Sequence, residues 1–354
     1  MEPVGPSRPA PPLARRWTRL ALVAAGLALV VWMLRTVGWT PIEENLRAIG
    51  GWFLVLLALY ALSQAAFFLG WWAVMEPRPR ASRLPRLFAI YLAGDSANYL
   101  APGGVAGEPL KVHLLSGEME TGRALASVTL HKHVDLLAQW LFVFLGVLVA
   151  LASFPLSPAA RAGALAGVAI LGAMLAGLTW ALRRGTYGPA VRLLSRWKSL
   201  SERLLPHHDG ARAVDDRIRR FYAEHRGSFA AGVALCFLGW CGGAVETRIV
   251  LHLLAPGQGW AAALGIEALS IVATTMLLFI PGRIGGAEGA RTGICMVLGL
   301  TASQGVAYGL VRRARELVWL LPGIVVMLAA TWRGRGGRRQ ARRVAGLANG
   351  EARP

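Results

Sequence analysis

Long apolar runs recur along the whole chain, from Leu20 to Ala330, and they constrain the fold more than any motif does. A helix needs roughly 20 apolar residues to cross the hydrocarbon core of a bilayer. Several runs have about that length, and hydrophobic residues make up 55% of the 354 residues. The sequence therefore predicts an all-α polytopic membrane protein. The predicted spans are residues 19–37, 50–75, 121–152, 160–182, 228–254 and 302–332.

Two further apolar stretches, residues 86–116 and 260–299, are interrupted near their middle. The first contains LAPGGVAGEP, starting at Leu100, and the second contains FIPGRIGGAEG, starting at Phe279. Proline and glycine break a helix there, and each remaining half is short for a full crossing. We therefore expect each stretch to be a re-entrant helical hairpin, which enters the membrane and leaves on the same side.

The distribution of charge tests this topology. If both hairpins turn back, the N-terminus, the long segment 183–226 and the C-terminal tail lie on one side, and these segments carry most of the arginines and lysines. Basic loops remain in the cytoplasm, so both termini are predicted to be cytoplasmic. The opposite side then receives short loops such as residues 37–49. A single crossing by each interrupted stretch would instead place the basic 183–226 segment outside.

The same topology predicts the domain organisation. Residues 1–18 form a basic, proline-rich cytoplasmic N-terminus, 19–332 a single transmembrane domain and 333–354 a basic cytoplasmic tail. The segment 183–226 contains the amphipathic sequence RLLSRWKSLSERLL and is expected to lie on the anionic cytoplasmic surface of the membrane. The net charge of +19 is thus assigned to lipid rather than nucleic acid, because no continuous soluble domain carries it.

An internal repeat relates the two interrupted stretches. Matching proline, glutamate, basic and acidic residues recur in the same order at offsets of 179 to 181. The matched pairs are Pro102 with Pro281, Glu108 with Glu288, Lys111 with Arg291, and Asp135 with Glu316. Because three spans separate the hairpins, the halves 50–182 and 228–332 are predicted to have opposite orientations. Inverted repeats with broken helices are a recurrent plan of secondary transporters, whose site lies between the halves.

The glycine-rich turns have two interpretations, and both remain open. Glycine allows a positive φ and a close approach of a ligand, while the N-terminus of the following half-helix offers free N–H groups to an anion such as a lipid phosphate. Alternatively, the glycines only permit the turn, and Glu108 and Glu288 cap the half-helices that follow. Asp95, Asn98 and Tyr99 precede the first turn and either line the same cavity or cap the broken helix.

Charged residues lie deep in two of the predicted spans. They are His131, Lys132 and Asp135 in one, and Arg312, Arg313 and Glu316 in the other. Charges at this depth are costly unless they are paired or hydrated, so they usually face an internal cavity. Pairing at i,i+4 within each helix is the alternative. Recurrence in both halves favours a functional cavity. Glu246 and Arg248, in another span, are expected to form a local salt bridge.

Catalytic and metal-binding motifs are absent from the sequence. There is no HExxH, no GxSxG and no phosphate-binding loop, and the three cysteines lack the spacing of a metal site. We therefore predict no metal, no cofactor and no catalytic residues. Without an ATP site, any transport is expected to use a gradient or to run downhill.

The motifs PGGVAGEPLK, HKHVD and PGRIGGAEGA, followed by an Arg-Glu helix, resemble the lysylphosphatidylglycerol synthase transmembrane family. The resemblance covers roughly residues 15–332 and extends to the stand-alone members found in hopanoid gene clusters. It implies a bacterial inner-membrane, flippase-like protein that moves a polar-headed lipid between leaflets. The family's acidic-basic pair is His131-Lys132 here, so headgroup preference or proton coupling is expected to differ. No lysyltransferase domain follows, and lysyl transfer is not expected.

The leading hypothesis is thus a lipid translocase for an anionic or glycosylated lipid, with hopanoids as one candidate. The alternatives are an intramembrane enzyme acting on a lipid-linked substrate, and a non-transporting accessory protein of envelope-lipid biosynthesis, whose enzymes are then its expected partners. Gly104, Gly107, Glu108 and Lys111 match the family's first element, and Gly285 and Glu288 the second. The predicted headgroup-binding residues are Gly104, Gly107, Glu108, Lys111, His131, Lys132, Asp135, Arg283, Gly285, Glu288, Arg312, Arg313 and Glu316.

Overall fold

The structure, a computed structural model, describes residues 35, 39–101, 104–185, 187, 189, 208–277 and 285–350, without the side chains of 41, 208 and 331–350. This part of the chain is helical and contains no strand. The helices are α1 (Trp39–Ile49), α2 (Trp52–Ala73), α3 (Leu84–Leu100), α4 (Gly107–Leu115), α5 (Thr121–Ser153), α6 (Pro158–Arg184), α7 (His208–Glu224), α8 (Arg226–Leu254), α9 (Trp260–Met276), α10 (Gly286–Val297) and α11 (Ala302–Gly350).

Four of these helices, α2, α5, α6 and α8, are long and apolar enough to cross a membrane. They correspond to four of the six predicted spans. The predicted span 19–37 lies outside the described residues. The last predicted span, 302–332, is part of α11, whose charged residues between 312 and 316 interrupt its apolar sequence. The helix continues to Gly350, so the backbone of the predicted tail is helical over most of its length.

Helix α1 replaces the loop that the sequence analysis expected over residues 37–49. Its polar and apolar residues alternate with helical periodicity, so one face is buried although the segment is too short to span. Ile42 packs near Val306 of α11, and Ile49 joins Leu56 in the core beneath it. The sequence analysis missed this helix because an amphipathic segment of about three turns has no long apolar run.

Both interrupted stretches form pairs of short helices. In the first pair, Gly94 and Asn98 of α3 contact Lys111 and Gly107 of α4 respectively, so the two helices run antiparallel. A Cβ atom on Gly107 would lie 2.0 Å from the carbonyl oxygen of Gly94, which is closer than any side chain allows. In the second pair, α9 packs against α10. The Pro-Gly breaks themselves, at 102–103 and 281–282, lie outside the described residues.

Helices α2 and α8 form the tightest contact between the two halves of the chain. Glycines on α8 admit side chains of α2: Gly239 lies against Phe67, and Gly242 lies against Ser63. On α2, Gly70 lies against Cys236 in return. Small residues let helices approach closely, which drives association where lipid and side chains are equally apolar. Since residue numbers rise along one helix as they fall along the other, α2 and α8 are antiparallel.

Each half also packs a hairpin arm on a long helix of the other half. The arm α3 lies along α11, where the Ser96 hydroxyl donates to the Leu320 carbonyl at 3.3 Å. The arm α9 lies along α5, where Gly146 accommodates Ala268, and Ala150 lies against Gly265. The two halves are therefore interlocked rather than side by side.

The amphipathic helix α7 docks on the helical core. Val214, Ile218 and Phe221 are buried on one face and join the core cluster that includes residues of α5. Arg217 donates to both oxygens of Glu120, just before α5, at 3.1 and 2.8 Å. The sequence RLLSRWKSLSERLL, which was predicted to be amphipathic, lies outside the described residues.

Candidate ion-pair site

The start of α4 is held by a side chain of α3. The Gly107 N–H donates to Oδ1 of Asn98 at 2.6 Å, and Nδ2 of Asn98 donates to Glu108 at 3.1 Å. Asn98 therefore satisfies a free donor at the N-terminus of α4 and fixes the carboxylate beside it. Asn98 was expected either to line a cavity or to cap the broken helix, and this contact is a cap. It also aims the Glu108 carboxylate toward α5.

Lys111, the next charged residue on α4, is buried under two aromatic rings. Its ammonium lies 4.7 Å from the ring centre of Tyr91 and 5.5 Å from that of Trp71. The faces of the aromatic rings attract the cation and so help to make a buried ammonium tolerable.

The charged residues of α5 do not pair with each other. The Lys132 ammonium lies 4.0 Å from Glu108 of the first hairpin. Asp135 instead accepts a hydrogen bond from the Trp240 indole of α8 at 3.2 Å. His131 is buried against the Trp71 ring, and its Nε2 has no hydrogen-bond partner among the described residues. The i,i+4 pairing considered for His131 and Asp135 is therefore not formed.

The residues of the second half that match these charges in the sequence are in closer contact with each other. Glu288, in the first turn of α10, pairs with Arg313 of α11. Arg291, one turn later, pairs with Glu316 at 2.7 Å, and Arg313 lies 3.4 Å from the same glutamate. The Tyr99 hydroxyl, from the end of α3, donates to Glu316 at 2.9 Å and accepts from Arg313. A residue of the first half thus completes the network of the second.

Arg312 and Arg315 occupy another face of α11 and bind two glutamates that the sequence analysis did not assign to the site. Arg312 donates to Glu267 of α9 at 2.8 Å, and Arg315 donates to Glu246 of α8. The expected local pairing of Glu246 with Arg248 was wrong, as was an intrahelical role for Arg312. Neither glutamate has a matching residue in the other half of the chain, so the sequence offered no signal from the repeat. The only available signal was the spacing of Arg312 and Arg315, which are three residues apart and therefore lie on the same face of α11.

The second-half network is balanced in charge. Its members are the four arginines Arg291, Arg312, Arg313 and Arg315 and the four glutamates Glu246, Glu267, Glu288 and Glu316, all with buried or nearly buried side chains. Burying a charge is tolerated when it is paired and hydrogen bonded. Each of these arginines therefore has at least one carboxylate partner.

The remaining predicted site residues are glycines and Arg283. Gly104 and Gly285 both have positive φ, 61° and 76°. Such a backbone strongly favours glycine. Gly285 directly precedes α10, whereas Gly104 lies three residues before α4. Arg283 lies outside the described residues. Within the described ranges, no group of His, Cys, Asp and Glu residues is placed to hold a metal ion.

The helical fold, the apolar spans and the buried ion pairs define the class: a multi-pass α-helical membrane protein with charged groups packed between its helices. A scan against protein families matches residues 17–343 to the lysylphosphatidylglycerol synthase transmembrane region, and the chain belongs to that family. No curated protein and no solved structure matches it. The family membership confirms the resemblance read from the motifs and indicates a membrane protein related to lipid handling.

Proposed function

We propose that the protein is a lipid translocase that moves a polar-headed lipid between leaflets by alternating two arrangements of its halves. The observation that carries the proposal is a pair of equivalent ion pairs in unequal states. Glu108 with Lys132, and Glu288 with Arg313, join each hairpin to the long helix that follows it, at offsets of 180 and 181 residues. The first pair is 4.0 Å apart and partly exposed, whereas the second is closed and buried.

Several contacts support an inverted repeat. Equivalent helices α2 and α8 meet antiparallel around Ser63 and Gly242, residues 179 apart, as a two-fold axis in the membrane plane requires. The hairpin arm of each half lies on the long helix of the other half. In such a repeat, the open site of one half and the closed site of the other exchange when the halves rock.

The ion pairs suggest how a charged headgroup is carried. Opening the pair between Glu108 and Lys132 exposes an ammonium and a carboxylate at the mouth of the first hairpin, where the α4 backbone begins. An anionic or zwitterionic headgroup replaces the lost partner, so the charges are never left unpaired at membrane depth. Hopanoids with polar headgroups belong among the lipids to be tested.

The orientation follows from the same picture. The end of the protein that carries α7 and its arginines is proposed to face the cytoplasm, with the inner membrane of a bacterium as the location. The basic surface of that end then faces anionic lipid.

The proposal is tested in liposomes that contain the full-length protein and a headgroup-labelled lipid. An external quencher reaches only the labelled lipids in the outer leaflet. The wild type is therefore expected to speed the loss of fluorescence from lipids that start in the inner leaflet. Glu108→Gln should abolish that acceleration without unfolding the protein, because this pair is partly exposed. The double variant Glu288→Gln with Arg313→Gln removes both charges of the buried pair and should also be inactive.

Glu43→Gln is the matched control, since Glu43 belongs to an exposed pair with Arg47. It should move lipid like the wild type. No acceleration by the wild type for any lipid tried, or full activity of Glu108→Gln, would rule out the mechanism. A chemically altered lipid that appears only with the wild type would favour the enzymatic alternative.

A further inference from the structure

A cavity of about 310 Å³ opens at the far end of α8, between the start of α2, the last two turns of α8 and the start of α9. Trp52 and Trp260 form part of its wall, 48% and 55% exposed, together with Arg248 and His252. None of these residues belongs to the ion-pair network described above.

The cavity lies at one boundary of the apolar core. Trp52 and Trp260 are the first residues of α2 and α9, and Leu254 ends α8, so three helix termini meet there. Arg248 is 22 residues beyond the start of α8, about 33 Å along it at 1.5 Å per residue. Tryptophans gather at the level of lipid headgroups, where their rings are half in hydrocarbon and half in water. The cavity is therefore placed at headgroup depth, at the end opposite α7.

Arg248 is the cation of this cavity that lacks an anionic partner within the described ranges. The neighbouring carboxylate, Glu246, is bound to Arg315 and Arg312, and Arg248 has no ion pair or side-chain hydrogen bond within the described ranges. His252 lies one turn further along the same face and is likewise without such a partner there. The macrodipole of α8 accounts for a cation in its last turn, but Arg248 lies before that turn.

We propose that this cavity binds the phosphodiester of an anionic glycerophospholipid, with Arg248 as the principal donor and His252 beside it. The guanidinium donates two parallel hydrogen bonds to phosphate oxygens, which is the geometry that arginine favours. The acyl chains lie against Ile249, Leu253 and the tryptophan rings, which give the cavity an apolar wall. In terms of the proposed function, which it extends, this is a docking site for lipid at the leaflet opposite α7.

Binding can be measured without transport. Full-length protein in detergent micelles is titrated with phosphatidylglycerol or phosphatidylcholine, and the bound lipids are counted by native mass spectrometry. We expect the wild type to bind phosphatidylglycerol more tightly than phosphatidylcholine. Arg248→Gln should lower the affinity for phosphatidylglycerol about tenfold, as the loss of a charge-assisted hydrogen bond implies. Arg161→Gln removes the same charge from an exposed site at the start of α6 and should leave binding unchanged. Trp260→Leu should also weaken binding, and it leaves Arg248 intact.

Excess inorganic phosphate separates a lipid site from a general anion site. It should not displace phosphatidylglycerol, since it gains nothing from the apolar wall. Displacement by phosphate, or equal lipid binding by Arg248→Gln and Arg161→Gln, would overturn the proposal. If Arg248→Gln loses lipid binding but the wild type moves no lipid, the binding site stands and the transport proposal fails. If Arg248→Gln binds lipid like the wild type while the wild type moves lipid, the transport proposal stands and the binding site fails.

Discussion

Glu246 is a single carboxylate in an otherwise apolar stretch of α8, and it is almost completely buried between Arg315 and Arg312. The free energy of burying this carboxylate depends on its arginine partners, because no water is present to replace a partner that is lost. Residues of this kind are therefore best tested by removing one partner and then both.

We expect Arg315→Gln to destabilise the protein by about 3 to 5 kcal/mol, because it leaves Glu246 with only the more distant Arg312. Adding Glu246→Gln to that variant should recover much of the loss. Denaturant unfolding of the protein in micelles, followed by intrinsic fluorescence, measures both changes. Arg47→Gln, in an exposed pair, is the control and should shift stability by less than about 1 kcal/mol. Additive losses in the double variant would contradict the pairing.

At the scale of elements, the first hairpin depends on how closely α3 and α4 approach. Gly107→Ala should separate the two helices, because the new methyl group would lie against the backbone of Gly94 rather than against a mobile side chain. Gly117→Ala is the matched control, since nothing lies within 4 Å of the added atom. Thermal unfolding in micelles should show a loss of several degrees for the first variant only. Equal melting temperatures would mean that the hairpin is looser than described.

Helix α7 should detach more readily at acidic pH. The hydrogen bonds from Arg217 hold the pKa of the exposed Glu120 carboxylate below its ordinary value of 4.5. A lowered pKa in the folded state means that this contact stabilises the protein at neutral pH and is lost as the pH falls below about 4.5. Hydrogen exchange of residues 208–224 should therefore accelerate, relative to its intrinsic rate, on acidification.

Glu120→Gln is the control for that measurement. It should remove the part of the acid response that comes from this contact and leave α7 in place through Ile218 and Phe221. If the variant and the wild type respond identically to acid, the contact with Arg217 does not hold the helix.

At the scale of the whole molecule, Tyr99 is a connection between the halves. Its hydroxyl, from α3, reaches Glu316 and Arg313 of α11 in the other half. A hydrogen bond to a charged group contributes about 1.5 to 3 kcal/mol, so its loss should change the proposed balance between two arrangements of the halves by about tenfold or more. Tyr99→Phe should thus favour the arrangement in which the two helices are apart.

Spin labels at the exposed positions 100 and 317 would report that change as a longer distance between α3 and α11. Tyr222→Phe is the matched control, because its hydroxyl binds His133 and does not join the halves. An unchanged distance distribution in Tyr99→Phe would show that the tyrosine does not hold them together.

The sequence by itself determined the membrane class, the helical fold and the family, because apolar run length and the glycine motifs are local properties of the chain. The offsets of about 180 residues also predicted which charges are equivalent. Glu108 and Glu288 were found in this way, since each stands next to a recognisable turn. Helix α1 was missed because its pattern is short and half polar.

Only the tertiary structure decided which charges meet. Glu246, Glu267 and Arg315 belong to the network, yet no turn motif or matched offset marks them in the sequence, and their partners are up to 69 residues away. The approach of α8 and α9 to α11 brings these groups together, and it depends on glycine and side-chain packing along whole helices. A buried charge takes the partner that packing provides, because water is absent at that depth.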